Sequence, residues 1–356
     1  MKKFLCFIMA VLMVFLSVAC KSEEAIITVE SDNNQSSLES TENTETSEPE
    51  ETEFSLTLSF AGDCVLATNN DQVTAGSFNK YAEENPPEYF LSKVKDIFDN
   101  DDFTLVNLEN VLSDNKLTPI SKEGDRAFWF KSKASNIKVL TLGGVEGVSL
   151  TNNHINDYGQ QGYNDTIKTA LEAGLQYGTN DNIIYYEKEG FKVAIICSGL
   201  WGEYGTTSII NKLKEAEEET DYQIVFFHGG TEYLHQPEEW KQRSARKLID
   251  NGADLVIGGH PHVLQPMEEY NGKTIIYSLG NFCYGGHRQP KNRTIIYQKT
   301  LTIDKNTKEL KTQDDNIIPC YVYTEKTNNY QPTPIIDEEE KQKVIDFMNQ
   351  KIELPY

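Results

Sequence analysis

The chain has 356 residues, of which 33 are Lys or Arg and 55 are Asp or Glu, giving a formal net charge of −22. Such a polyanion is unsuited to non-specific binding of nucleic acid or of anionic lipid headgroups. An anionic substrate would need a local positive centre here, and a bound metal is one source of it.

In chain order, Lys2 and Lys3 precede an uncharged apolar stretch over residues 4–19. The stretch is shorter than the roughly 20 residues a membrane-spanning helix needs, and its layout is that of a secretory signal. It ends in Leu16-Ser17-Val18-Ala19-Cys20, which resembles a bacterial lipobox with Ser17 where Leu is usual. Residues 1–20 are therefore expected to be a lipoprotein signal peptide, with Cys20 lipidated. That places the mature protein outside the cytoplasm, anchored to a bacterial cell membrane. Cleavage of an ordinary secretory signal nearby is the alternative. Residues 21–53 are rich in Ser, Thr, Glu and Asn and poor in aromatics. They predict a disordered acidic tether, kept extended by like charges.

About 300 residues follow, enough for one large domain or two small ones. Apolar, β-branched runs at 55–60, 103–106, 147–150, 191–196, 223–227, 254–257 and 274–277 predict strands. Amphipathic stretches at 88–98, 134–140, 162–173, 209–219 and 238–251 predict helices, and Gly174 and Gly252 follow two of them as stops. The alternation predicts an α/β fold with helices covering a sheet. Residues 294–303 alternate like a late antiparallel strand. The globular domain is placed at 54–320. Residues 321–356 read as a peripheral extension with one helix at 337–351. Cys64, Cys197, Cys283 and Cys320 show no CxxC spacing, so neither a thiolate zinc site nor a disulfide framework is indicated.

The strand ends carry the functional argument. Six apolar runs stop on polar groups: Gly62-Asp63, Asn107-Leu108-Glu109, Thr151-Asn152-Asn153-His154, His228-Gly-Gly-Thr-Glu232, Gly259-His260-Pro261-His262 and Ser278-Leu279-Gly280-Asn281. In α/β sheets, sites assemble at the carboxyl ends of strands. Asp63, Glu109, Asn153, His228, His260 and His262 are the candidate metal ligands. Oxygen donors mixed with imidazole suit Mn, Fe or Zn. With two carboxylates the set is large enough for two ions sharing a bridging ligand, a known device for ester hydrolysis at a spacing of about 3.5–4 Å. Asn107, Glu232, Ser278 and Asn281 are candidates to bind substrate or to support the ligands. Each also has a plainer reading: Asp63 fits a turn cap, Asn153 a left-handed strand end, and Glu232 a solvated loop carboxylate. His235 and His287 lack a strand-end placement and read as surface or supporting residues. Asp157, three residues after His154, either orients that imidazole or caps the helix beyond it. If Asn153 binds the metal, His154 makes most sense as a proton donor, so His154 and Asp157 read as the catalytic residues.

Together these blocks, with Asp157, Gly159 and Tyr277-Ser278-Leu279-Gly280-Asn281-Phe282, resemble the CapA family of poly-γ-glutamate capsule biosynthesis proteins from about residue 55 to 303. That family is related to the calcineurin-like metallophosphoesterases. The resemblance implies a four-layer α/β sandwich, two mixed sheets face to face with helices outside. It implies that Asp63 matches the Asp of an Asp-x-His block and that Glu109 stands where a bridging carboxylate is expected. Asn153 and His154 match a ligand and a catalytic acid, and His228, His260 and His262 match ligand histidines. Val65 stands where the phosphoesterases carry a ligand His, as in other CapA-like proteins. A one-metal site, or a second site completed by Glu232, fits that departure.

Three functions follow as expectations. The first is a metal-dependent hydrolase acting on poly-γ-glutamate or another anionic cell-surface polymer. The second is a non-catalytic, metal-bearing component of a polymer synthesis and export machine, partnered by a membrane synthase or exporter. The third is a secreted phosphatase, which the missing histidine at position 65 argues against.

Overall fold

Strands buried on both faces read as continuous apolar runs, and those buried on one face alternate. The chain contains both kinds. The computed structural model describes residues 52–69, 72–122, 127–287 and 289–356. The expected signal, Cys20 and nearly all of the expected tether lie outside them. Strand β1 (Glu53–Val65) already includes the tether's last residue; helix α1 (Phe78–Glu84) and the single turns α2 (Glu88–Leu91) and α3 (Lys95–Phe98) come next. Then follow β2 (Phe103–Leu108), β3 (Val111–Leu112), β4 (Lys131–Ser132), α4 (Lys138–Thr141), β5 (Gly147–Ser149), α5 (Gly159–Glu172) and β6 (Gln176–Gly178). The next stretch holds β7 (Ile184–Lys188), β8 (Phe191–Gly199), α6 (Thr206–Glu217), β9 (Tyr222–His228), α7 (Glu239–Ile249) and β10 (Leu255–Gly259). The chain ends with β11 (Leu264–Tyr270), β12 (Lys273–Leu279), β13 (Asn281–Tyr284), β14 (Thr294–Asp304), β15 (Leu310–Tyr321), β16 (Thr333–Pro334) and α8 (Glu338–Met348).

The strands form two principal sheets. One runs β16-β15-β14-β1-β2-β5-β6, with β13 also paired to β1, and the other runs β11-β12-β10-β9-β8-β7. Both are mixed: β1 is antiparallel to β14 and parallel to β2, and β12 is antiparallel to β11 and parallel to β10. Successive side chains on one strand serve different layers. On β9, Ile224 and Phe226 enter the core between the sheets, while Val225 and Phe227 pack with residues of α6 and α7. On β1, Leu56, Leu58 and Phe60 face the inter-sheet core, and Ala61 and Cys64 belong to the cluster that buries α1–α5. The result is four layers, helix, sheet, sheet, helix, as the resemblance implied.

Two expectations need correction. The predicted helix 88–98 is two separate turns. Buried Val94, at φ −117°, interrupts it, and Phe90, Leu91 and Phe98 turn into the same core cluster. The C-terminal extension is not peripheral. Its β16 pairs with β15, and Ile335, Val344, Phe347 and Met348 join the inter-sheet core. Helix α8 starts where the Asp337 side chain accepts the Glu340 N–H at 2.9 Å, with three glutamates in its first turn favoured by the helix dipole. Among the described residues, no helix is long and apolar enough to cross a membrane.

Candidate metal centre

Both sheets deliver their parallel strand ends to one place. A register shift between Ala61 and Asp63 sets Asp63 opposite Asn107 on one side, and Asp63 pairs with Asn281 on the other. The Asp63 N–H donates to the Gly280 carbonyl at 2.9 Å. Gly62 permits this approach, because a β-carbon there would stand 1.9 Å from the same oxygen. Across the sheet seam, the His260 N–H donates to Asp63 Oδ2 at 3.2 Å. His260 and His262 hold positive φ values of 91° and 57°, conformations that L residues rarely adopt.

The donors lie close together. The Asn107 side-chain amide donates to Asp63 Oδ1 at 2.8 Å and lies 3.1 Å from His228 Nδ1. His228 Nε2 lies 2.9 Å from Asn153 Oδ1 and 3.1 Å from His260 Nδ1. His262 Nδ1 lies 3.0 Å from Asn281 Oδ1 and 3.3 Å from Asp63 Oδ2. Two overlapping triads result, Asp63–Glu109–His228 and Glu109–His260–His262, the donor atoms of each within 4.8 Å of one another. Glu109 belongs to both. Its Oε1 is buried with no hydrogen-bond partner. A buried carboxylate oxygen without a donor is costly. This one lies 3.4 Å from His228 Nε2 and 3.9 Å from His262 Nε2. The donor set is thus compatible with a metal site.

Electrostatics point the same way. Burial works to raise the Asp63 carboxyl, but the hydrogen bond from His262 and the charges of His228 and His262 hold it well below the usual carboxylate range. Burial works to lower His262, yet Glu109 and Asp63 push it up to about 9. Burial, with His228 and His262 beside it, brings His260 down to about 2. The carboxylates of Glu109 and Asp63 thus set up a negative potential that favours positive charge at His262, the potential a bound cation would also meet.

Other predicted residues take defined places. His154 Nδ1 lies 2.9 Å from Asp157 Oδ2, and the Phe130 ring packs 4.6 Å from the imidazole. Asp157 also accepts the Phe130 N–H at 2.8 Å and pairs with Lys122. Adjacent Asn153 turns the other way, toward His228. Ser278 is one step removed: its hydroxyl donates to the Val263 carbonyl and accepts the Gly280 N–H, which braces the two loops. Glu232 is exposed and belongs to neither triad. Val65 is buried in an apolar cluster with Phe130 and Tyr284, the rings that flank His154 and His262.

Three residues near the centre escaped the sequence reading, and a fourth, Asn152, was read there only as part of its block. Asn152 donates to Asn107 Oδ1 and accepts the His154 N–H, linking His154 to the histidine–carboxylate cluster. Lys122 pairs with Asp157 over a separation of 35 residues. The Trp201 ring stands 4.9 Å from His260. Lys241 is wholly buried under the His228 loop, donating to Gln265 at 2.8 Å, and burial brings it down to about 7 against the pull of Glu238 and Asp63. Only Asn152 had a signal, its place in the Asn-Asn-His block.

The fold and the centre define a four-layer α/β protein with a buried histidine–carboxylate cluster at the strand ends. The chain belongs to the family described as bacterial capsule synthesis protein PGA_cap, whose model matches residues 57–285. It is 30% identical over 251 residues to the PGA biosynthesis protein CapA of Bacillus subtilis, covering 64% of this chain and 63% of that one. It is 29% identical to the capsule biosynthesis protein CapA of Bacillus anthracis, covering 68% and 63%. The chain thus spans about 63% of the length of these two relatives. A probable polyglutamine synthesis accessory protein of Mycobacterium tuberculosis is 25% identical, covering 56% and 64%. Among solved structures, a novel phosphatase from Mycoplasma pneumoniae aligns at 15% identity and a TM-score of 0.43, covering 75% and 94%. A hypothetical protein from Thermus thermophilus aligns at 14% and 0.44, covering 74% and 99%.

Proposed function

We propose that the chain is an extracytoplasmic accessory protein of capsule synthesis, anchored through Cys20, that acts on poly-γ-glutamate or a related anionic polymer at a hydrolase-type centre. The observation that carries this reading is the Glu109 carboxylate, one of whose oxygens is buried without a hydrogen-bond donor and which is shared by two candidate ligand triads. The relatives' roles in PGA and capsule biosynthesis supply the polymer. Asp63, Glu109, Asn153, His228, His260 and His262 would hold one or two ions of Mn, Fe or Zn. Such ions supply positive charge that polarises a scissile group and acidifies a water nucleophile. His154 is the proton donor: Asp157 fixes Nδ1 and leaves Nε2 for the leaving group. Asn152 holds the His154 backbone in register with the ligand Asp63 through Asn107.

A second reading, a metal-bearing component of a polymer export machine without turnover, is favoured by Val65 in place of a ligand. Elemental analysis of the full chain, with a turnover screen on poly-γ-glutamate and a phosphomonoester, tests both. Stoichiometric metal with polymer shortening that a chelator abolishes supports the hydrolase. Metal with polymer binding but no turnover supports the export component. A chain that takes up no metal on reconstitution overturns the centre.

A further inference from the structure

A cavity of about 220 Å³ opens beside the centre on the His262 side. Its buried lining is Asn281, Tyr284 and Pro290; Tyr233, His287 and Lys291 are exposed at its rim. It shares a wall with the centre, because Asn281 Oδ1 lies 3.0 Å from His262 Nδ1 and the Tyr284 and Tyr233 rings stand 5.1 and 6.3 Å from the His262 ring. Among the described residues no carboxylate lines it, in a chain of net charge −22. Lys291 is the lysine that lines it, and residues 287–293 carry no acid in the sequence. The volume is below the roughly 300–1,000 Å³ of sites that enclose a whole drug-sized ligand, so it suits one small group.

We infer that this cavity is a subsite for the carboxylate borne directly on the methylene-containing main chain of one unit of an anionic polymer whose neighbouring bond lies over the centre. The Lys291 ammonium pairs with the carboxylate, the tyrosine faces cover the methylenes, and the Asn281 edge marks the step to the centre. The Lys291 ammonium stands 5.5 Å from the Tyr356 ring and offers the cavity one point charge rather than a guanidinium fork. The inference rests on the polymer reading above and specifies where that polymer's side group is held.

The test uses the full chain with two probes, labelled poly-γ-glutamate and free glutarate, with glutaramide as the neutral control. Lys291 is exposed, so Lys291→Glu and Lys291→Gln leave the core intact. Both carboxylate probes are expected to protect Lys291 from amine acylation, read by peptide mass spectrometry, and glutaramide is not. Poly-γ-glutamate should bind Lys291→Glu about tenfold or more weakly than the parent, with Lys291→Gln between them. Polymer bound equally by parent and Lys291→Glu overturns the subsite and leaves the polymer reading standing. Protection by glutarate with no polymer binding supports the subsite and defeats the polymer reading. Protection by neither probe, or equal protection by glutaramide, overturns the subsite.

Discussion

Acidic residues stand at both edges of the sheets, and the two edges use them differently. At the amino edge the acid precedes its strand and serves the backbone. Asp102, before β2, accepts the Thr57 N–H at 2.8 Å, and Glu146, before β5, accepts that of Thr104 at 2.9 Å. Asp221 and Asp254, before β9 and β10, accept those of Lys192 and Gln223 at 2.8 and 2.9 Å. Each closes a ladder whose last donor would otherwise lack a partner. At the carboxyl edge the acid follows its strand and meets imidazole. Asp63 contacts His228 and His262, and Glu109 keeps one oxygen without a donor. A polar strand end is therefore weak information until all its partners are known: the amino-edge acids meet backbone N–H groups, whereas Asp63, which also accepts the His260 N–H, and Glu109 add imidazole contacts.

The largest effect expected at the carboxyl edge is on turnover. His154→Ala should lower it about 10²–10⁴-fold with bound metal unchanged, measured by steady-state rates beside elemental analysis. Loss of metal together with activity would instead make His154 a ligand. His260→Ala should weaken metal binding by about 100-fold or more, since even residues supporting a ligand contribute 10–100-fold. A competition titration with a chelating dye reads this, and unchanged affinity removes His260 from the ligand set. At the amino edge the sign of the comparison reverses. Asp254→Ala strips the Gln223 N–H and the Lys273 partner at 2.9 Å, and should cost roughly 1–3 kcal/mol of stability in urea denaturation with metal content intact.

The smallest expected effect is a pH dependence at Asp101. Burial pushes this carboxyl up to about 6, against hydrogen bonds from Ser59 and Thr104. The folded state then binds a proton more tightly than the unfolded chain, whose carboxyl titrates near 3.8. Stability should fall as pH rises from about 4 to about 6 and stay lower above that, by about 1 kcal/mol after discounting for partial exposure. Asp101→Asn should flatten this slope, and a parallel slope in the variant would assign it elsewhere.

The carboxyl edge was legible because each candidate follows a continuous apolar run, and such runs come from strands covered on both faces. What escaped had no pattern to show. β3, β4, β13 and β16 span two to four residues, too short for a period to register. β15 is polar and exposed along Leu310–Asn316 and joins the sheet through its backbone ladder to β14. Lys122 lies in a stretch with no periodicity and reaches Asp157 only through tertiary folding. Lys241 sits among charged residues of α7 and reads as a surface lysine, yet the helix turns it under the His228 loop. Asn152 was seen, but adjacent asparagines do not reveal which one turns inward.

The positive φ angles of His260 and His262 have a consequence for selection. Non-glycine residues in such conformations cost on the order of 1–3 kcal/mol each, and a glycine at either position removes that cost. Heat resistance and function thus pull this turn in opposite directions. Variants at position 260 screened for melting temperature in a chelator should drift toward Gly or Asn, whereas a screen that requires the loaded centre should return histidine. The turn would then be least stable where the protein is most useful, and its sequence would be kept by what it does and not by how it folds.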